Sequence, residues 1–269
     1  MVSGVTVDGA TWVMGVIGDP IRQAKTPEVI NPIFAEAGAN IVCVPLHIPP
    51  ARLAEAWAGL KAMPNIIGFG VTLPHKQAAL ALCDRLDPVA ERIGAVNLVR
   101  READGAFCGY QFDGRGFVAG LKAHGHDPAG RDCLMIGAGG AAMSIAYELA
   151  EVGARSLTIS NRTMAKAETL ADAVNAMAGR PFATASDAPP RPGQLIINAT
   201  SLGLAPDDPL PLDPATLTAG MTVAEVIAKP EITPFLEAAA ARGAAVHSGI
   251  HMIRGQVPLI AAHMMALWK

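Results

Sequence analysis

The sequence predicts an α/β protein of parallel sheets with helices on both faces. Three observations predict it. Short apolar runs alternate with helical patterns along nearly the whole chain. One of those runs, residues 131–136, leads straight into a glycine-rich turn that opens a helix. The length, 269 residues, is slightly under two domains at roughly 150 residues each. That is enough chain for a sizeable core and a second lobe.

The elements follow in order. Residues 11–17 form a strand that ends at the turn Gly18-Asp19-Pro20. Thr26-Pro27-Glu28 marks a helix start, with Thr26 as the hydroxyl cap, and Pro32 is expected to kink that helix. Residues 41–46 read as a buried strand stopped by Pro49-Pro50. Leu53, Trp57 and Leu60 then give helical spacing. A strand at 66–73 is followed by a helix opening at Pro74. Runs at 95–100 and 106–110 flank Ala103-Asp104-Gly105 as a hairpin. Beyond it, helices are predicted over 112–124, 141–152, 164–176, 233–242 and 250–268. Strands are predicted over 131–136, 156–160, 195–198, 221–227 and 245–246, with a surface loop at 186–193.

Composition excludes several function classes. The chain is 51% apolar and 17% charged, a globular balance. Its net charge is −3, it has no long basic run, and aromatics are only 4%. These features argue against a nucleic-acid binder. Alanine and glycine fill the gap left by aromatics, which implies close helix–sheet packing. Cys43, Cys83, Cys108 and Cys133 form no CxxC pair and read as buried, reduced thiols. His47, His75, His124, His126, His247 and His263 show no metal spacing, so no metal is expected. The amino terminus, MVSGVTVDGA, lacks a basic region followed by an apolar one, and no run of 18 apolar residues occurs. A cytoplasmic protein is the expectation.

The stretch CLMIGAGGAAMSIAYELAEVGA carries the strongest signal. Small residues at Gly137, Ala138, Gly139, Gly140 and Ala141 let backbone N–H groups approach a pyrophosphate. The helix N-terminus adds a positive dipole. The third small residue of GxGxxG falls on Ala142, and a plain tight strand–helix connection is the competing reading. The next strand ends at Ser160-Asn161-Arg162-Thr163 with no acid to bond a ribose 2′-OH. Arg162, Thr163 and Lys166 instead read as a 2′-phosphate pocket, favouring NADP over NAD. An exposed basic helix start is the alternative.

Two further stretches carry chemistry. In GVTLPHK, Lys76 follows Pro74 near a strand end, where a helix start can lower a lysine pKa. In GYQFDG, Asp113 sits where the first lobe hands over to the second. Ketone reduction needs a proton for the developing alkoxide, and a lysine held by a carboxylate can deliver it. A solvated helix lysine and a plain N-cap aspartate are the bland readings of each residue alone.

Taken in chain order, these motifs resemble the shikimate dehydrogenase family over nearly the whole length. GDPIRQAKTP resembles the family's GxPIxxSxSP, implying a substrate contact at Thr26. VTLPHK resembles VTxPxK, which implies Lys76 as the catalytic lysine with Thr72 at the substrate. IGAVNLV resembles the GAVNT stretch and places Asn97 in the substrate pocket. FDGRGF resembles NTDGxGF, so Asp113 inherits the role of the lysine's acidic partner. GAGGA and NRT resemble the cofactor turn and the NADP clamp, the latter including Asn161. INATSLG resembles NATSxG, with Asn198, Thr200 and Ser201 along the cofactor. Gln256 resembles the substrate-binding glutamine.

The resemblance implies two lobes: a substrate-binding lobe of residues 1–112 plus 248–269, and a Rossmann-type NADP lobe of residues 113–247. It also implies a monomer or homodimer acting on a small molecule. Departures fall on the substrate side. Ala24 and Thr26 stand for two serines, Gly70 for an asparagine, Gln111-Phe112 for Asn-Thr, and Ala228 for a tyrosine. Glu225 stands for an aspartate and His251 for a glycine. Each lost hydrogen bond would be worth about 0.5–1.5 kcal/mol.

The expected activity is therefore NADP-dependent interconversion of a cyclic ketone and alcohol, such as 3-dehydroshikimate and shikimate. One alternative is a divergent paralogue using the same chemistry on a quinate-like alcohol. Another is a non-catalytic NADP-binding regulator, against which the retained Lys76 and Asp113 argue. A methylene-tetrahydrofolate dehydrogenase is a remote fourth, disfavoured by the GAGGA turn.

Overall fold

The computed structural model describes residues 7–22 and 24–268. Most of the amino-terminal stretch read for a leader lies outside them. Among the described residues no helix is long and apolar enough to cross a membrane. The chain divides into two compact units: residues 1–112 with 257–269, and residues 113–256.

The first unit runs β1 (Trp12–Gly18), α1 (Thr26–Glu36), β2 (Ile41–His47), α2 (Leu53–Ala62) and β3 (Ile66–Val71). It continues with α3 (Lys76–Leu80), β4 (Arg85–Leu86), α4 (Pro88–Ile93), β5 (Leu98–Arg101) and β6 (Phe107–Tyr110). Its six-stranded sheet has the order β2-β1-β3-β5-β6-β4. β1 is parallel to both β2 and β3, whereas β3–β5 and β5–β6 are antiparallel. Parallel pairing here is therefore partial, because the 98–110 hairpin adds reversed strands.

The second unit runs α5 (Asp113–Ala123), β7 (Asp132–Ile136), α6 (Gly140–Glu151), β8 (Ser156–Ser160), α7 (Met164–Ala178), β9 (Ala183–Ala185) and β10 (Leu195–Asn198). It ends with β11 (Thr222–Glu225), α8 (Pro234–Ala241), β12 (Ala245–His247) and the start of α9 (Ile250–Met265). Its sheet, β12-β11-β10-β7-β8-β9, is parallel throughout. The chain moves outward from β7 through β8 to β9, then returns to β10 on the other side of β7. That reversal makes the carboxyl ends of β7 and β10 the topological switch point, where ligands bind in such sheets.

The division falls inside α9, after Gln256. Residues 248–256, which the sequence reading assigned to the first lobe, pack in the second unit. Glycines are the reason. A Cβ on Gly116 would lie 2.5 Å from Gln256 Cβ, and one on Gly120 would lie 2.4 Å from the His251 carbonyl oxygen. Gly255 meets the Gly116 carbonyl at 2.4 Å in the same way. Only hydrogen side chains let α5 and α9 touch this closely. The end of α9 is tied to the first unit, where Trp268 Nε1 donates to the Arg101 carbonyl at 3.1 Å and Trp268 packs against Trp12.

The few aromatics concentrate in the first core. Trp57, Phe69 and Phe107 meet edge to face with centroids 4.8–6.0 Å apart, alongside Ile17, Val71 and Val99. The second core is aliphatic around Leu134, Ile136, Ile196, Val223 and Leu236, with Phe235. The cysteines are free thiols, and burial pushes Cys43, Cys83 and Cys133 up to about 12, so they are inert.

Several element ends differ from expectation. Lys25, not Thr26, occupies the N-cap of α1. The helix continues through Pro32, whose exposed face leaves the freed carbonyl of Glu28 to water. α3 is a short helix beginning at Lys76, because Leu73-Pro74-His75 forms the turn before it. α4 was not anticipated, although its signals are complete. Asp87 caps Ala90 N at 2.7 Å, Pro88 follows, and Gly94 ends it at φ 69°.

Asn31 is a buried polar group that sequence reading missed. Its amide accepts from Cys43 N at 2.7 Å and donates to Cys43 O at 3.0 Å, satisfying the outer edge of β2. Asn31→Ala should therefore cost about 1–3 kcal/mol. Urea unfolding monitored by circular dichroism should show a lower midpoint, and an unchanged midpoint would contradict this role.

Candidate active site

In the first unit, the candidate residues gather at the carboxyl ends of β1 and β3. Thr72 N donates to the Ile17 carbonyl at 3.0 Å, and Asp19 N donates to the Leu73 carbonyl at 3.1 Å. The two turns, 18–20 and 72–75, are thus laced together. Gly18 makes this possible, since a Cβ there would lie 2.5 Å from Thr72 Cγ2. His75 is buried and its Nε2 stands 2.7 Å from the Ile48 carbonyl, which fixes the turn that presents Lys76. Val96 N donates to the Lys76 carbonyl at 2.9 Å.

Asn97 is the hub beside them. Its Oδ1 accepts from Phe112 N at 2.8 Å, its N donates to Tyr110 O, and its O accepts from Val71 N. The structure therefore brings Thr72, Lys76 and Asn97 to one end of the sheet through backbone bonds. Thr26 lies in the first turn of α1, half-buried. Gly70 is not demanded by its surroundings. A Cβ there would meet nothing closer than Val16 at 3.7 Å.

In the second unit, the glycine turn sits at the switch point. Gly137 has φ 113°, and a Cβ on it would lie 3.0 Å from the Ala199 carbonyl group. Its glycine is thus required by the fold. Gly139 and Gly140 are different. Nothing lies within 4 Å of a Cβ at either, and neither has a positive φ. Gly139 is the N-cap of α6 and supplies no side-chain cap. A tight strand–helix connection explains Gly137 alone. The other two leave an exposed, uncapped helix start open to an anion.

Asn161, Arg162, Thr163 and Lys166 stand at the end of β8, the neighbouring strand. Asn161 Nδ2 donates to the Thr163 carbonyl at 2.9 Å, closing the turn. Arg162 and Lys166 are exposed, and their side chains make no hydrogen bond or ion pair among the described residues. Thr163 is the N-cap of α7, again without a side-chain cap bond.

Asn198 and Thr200 are bonded within the protein. Asn198 is fully buried and donates to Glu225 Oε1 at 2.8 Å and to the Leu202 carbonyl at 3.0 Å. Its Oδ1 accepts from Thr200 Oγ1 at 2.6 Å and from Thr200 N at 3.1 Å. Both side chains are spent on shaping the loop after β10, while Ser201 is exposed. Thr233 Oγ1 donates to Glu225 Oε2 at 2.6 Å and caps α8. Burial, opposed by these two donors, raises the Glu225 carboxyl above the usual glutamate range.

Asp113 and Gln256 meet directly, with Gln256 Nε2 donating to Asp113 Oδ1 at 3.0 Å. Asp113 is buried in the first turn of α5. The next residue, Gly114, donates its N–H to Ser144 Oγ at 2.7 Å, which anchors that turn on α6. Ser144 was not anticipated, because nothing in its local sequence sets it apart from a core position.

The histidines show an arrangement that spacing did not announce. Spacing in the chain suggested no metal set, yet His124, His247 and His251 converge in the second unit with one ring nitrogen each, all within 4.8 Å of one another. Sequence distance hid the meeting of His247 and His251 with His124, since β12 and α9 return to the end of α5.

Two family profiles match the chain: the shikimate dehydrogenase substrate binding domain at residues 16–99, and shikimate/quinate 5-dehydrogenase at residues 121–188. A shikimate dehydrogenase (NADP(+)) of Moorella thermoacetica is 39% identical over 98% of this chain and 90% of its own length. The chain belongs to the shikimate dehydrogenase family. Solved structures resemble it closely. A shikimate dehydrogenase in complex with NADP+ has a TM-score of 0.88 at 30% identity, covering 99% of this chain and 94% of that one. A ligand-free 5-ketofructose reductase from Gluconobacter sp. strain CHM43 has a TM-score of 0.84 at 35% identity, covering 96% and 93%. Family membership thus accounts for the doubly wound second sheet and the GAGGA turn together.

The buried carboxyl of Glu225 gives a testable pH signature. Its folded value is raised, so its stabilising contribution is complete below the ordinary glutamate value and is lost as pH rises through the folded one. In Glu225→Gln the amide oxygen can still accept from Asn198, but no proton is lost. The melting temperature of the native protein minus that of E225Q should fall as pH rises from about 4.5 upward. A difference independent of pH would contradict the assignment.

Proposed function

We propose that this protein is an NADP-dependent shikimate dehydrogenase that interconverts 3-dehydroshikimate and shikimate. The observation that carries this reading is the pair Gly139–Gly140. They are glycines that no protein contact requires, on an uncapped helix start at the switch point. Their N–H groups suit a pyrophosphate, and the exposed cations Arg162 and Lys166 at the adjacent strand end suit a 2′-phosphate. The retained family motifs and the relatives named for this activity support the substrate.

In this reading the second unit holds the cofactor and the first holds the substrate. Gly137 through Ala141 bind the pyrophosphate. Asn161, Arg162, Thr163 and Lys166 bind the adenosine phosphate. Asn198 and Thr200 shape the loop whose backbone and Ser201 line the same end. When bound, NADPH supplies the hydride that the ring ketone accepts. Lys76 gives a proton to the carbonyl oxygen, and Asp113, held by Gln256, is the carboxylate partner in that transfer. Thr26, Thr72, Asn97 and Gln256 contact the hydroxyls and carboxylate of the substrate. The enzyme is cytoplasmic.

Steady-state oxidation of NADPH tests the reading, with 3-dehydroshikimate and dehydroquinate compared as substrates. The native protein should turn over 3-dehydroshikimate with the higher kcat/KM. Lys76→Ala should lower kcat by about 100-fold or more while NADPH affinity stays unchanged. Arg162→Ala should raise the KM for NADPH and narrow its advantage over NADH. A preference for dehydroquinate would move the substrate. A normal kcat in the lysine variant would remove Lys76 from the chemistry.

A further inference from the structure

Three imidazoles meet in the second unit, two of them four residues apart and the third more than a hundred residues earlier, and the proposed reaction gives none of the three a chemical step. His124 follows the last turn of α5, His247 ends β12, and His251 lies in the first turn of α9. The ring of His251 lies 3.8 Å from that of His124 and 4.7 Å from that of His247, centroid to centroid. The rings of His124 and His247 are 5.3 Å apart. One nitrogen from each falls within 4.8 Å of the other two.

The nitrogens are set up as ligands. His124 Nδ1 stands 2.9 Å from the Gly120 carbonyl. A carbonyl oxygen only accepts, so Nδ1 is the donor there and Nε2 is the ring nitrogen left for a ligand bond. His247 is 1% exposed, and its buried Nε2 has no hydrogen-bond partner among the described residues. The buried Nδ1 of His251 has none either. Buried polar atoms in folded proteins are normally paired, so two orphans facing one cluster call for a shared partner. Burial and the neighbouring rings hold His247 down to about 3 and lower His251.

The donor set defines the ion. The cluster offers imidazole nitrogens and no carboxylate, which disfavours calcium and magnesium and suits zinc, cobalt, nickel or copper. Tetrahedral zinc with bonds of about 2.05 Å places its nitrogens about 3.3 Å apart, so small ring rotations close the set. His124 is exposed, which gives an entry path and leaves the fourth position to water.

We propose that His124, His247 and His251 form a binding site for one divalent transition-metal ion of the zinc class. The ion ties the end of α5 to the β12–α9 junction, clamping the two helices whose glycines interlock.

The test uses the full chain without a histidine tag, freed of metal by chelator dialysis. Cobalt(II) titration followed by visible absorption should show one saturable equivalent with tetrahedral d–d bands, displaced by zinc. Zinc should also raise the melting temperature. The exposed His124→Gln and the half-buried His251→Gln should each weaken cobalt binding by at least about 10-fold, while His47→Gln should not. Both cluster variants should melt like the native protein when metal-free, so a loss of binding would not reflect unfolding. Absence of saturable cobalt or zinc binding at micromolar metal would overturn the proposal. Undiminished binding in a double His124→Gln/His251→Gln protein would do the same.

Discussion

The close approach of Gly137 to Ala199 is the contact on which the second unit depends. β7 and β10 lie side by side, and their exits must part in opposite directions at the switch point. Gly137 turns with φ 113° directly against the Ala199 carbonyl group, a position strained for any side chain. Ala199 N donates to the Ile136 carbonyl and Gly137 N donates to the Ser160 carbonyl, so the turn is pinned from both neighbouring strands. That aim sends α6 away with its first N–H groups facing solvent. The Asn198–Glu225–Thr233 chain fixes the opposite wall through buried hydrogen bonds. A buried carboxylate between two donors holds the loop after β10 more firmly than packing alone.

A second constraint uses the same chemistry of small residues. Gly116, Gly120 and Gly255 let α5 and α9 touch backbone to backbone, and Gly114 lets α5 rest on Ser144 of α6. The reward is positional. Asp113 and Gln256, distant in sequence, end within hydrogen-bond distance. The alanine- and glycine-rich composition with few aromatics is what such packing needs, and most of the aromatics that remain lie in the first unit.

The strand–helix alternation was legible because apolar period and turn residues coincide locally. The glycine turn, the NRT stretch and the hairpin at 98–110 were legible for the same reason. α4 was equally legible, through Asp87, Pro88 and Gly94, and was overlooked because a six-residue helix leaves little periodicity. What depends on tertiary return was hidden. The partition of α9 rests on glycine contacts with α5, which no local pattern announces. Asn198 and Thr200 matched a motif, but the hydrogen bonds by which their side chains shape the loop after β10 were not legible in it. The histidine cluster needed three elements brought together by the fold. Gly70 is informative in the opposite sense, since its surroundings leave room for a side chain and its backbone has no need of glycine.

The central claim is that the uncapped start of α6 receives a phosphate through its own backbone. Amide chemical shifts during NADP+ titration of nitrogen-15-labelled protein test it most directly. The account predicts the largest saturable shifts at Gly139, Gly140 and Ala141, with smaller ones at Arg162 and Lys166. Saturable NADP+ binding that leaves the Gly139–Ala141 amides unmoved would contradict it.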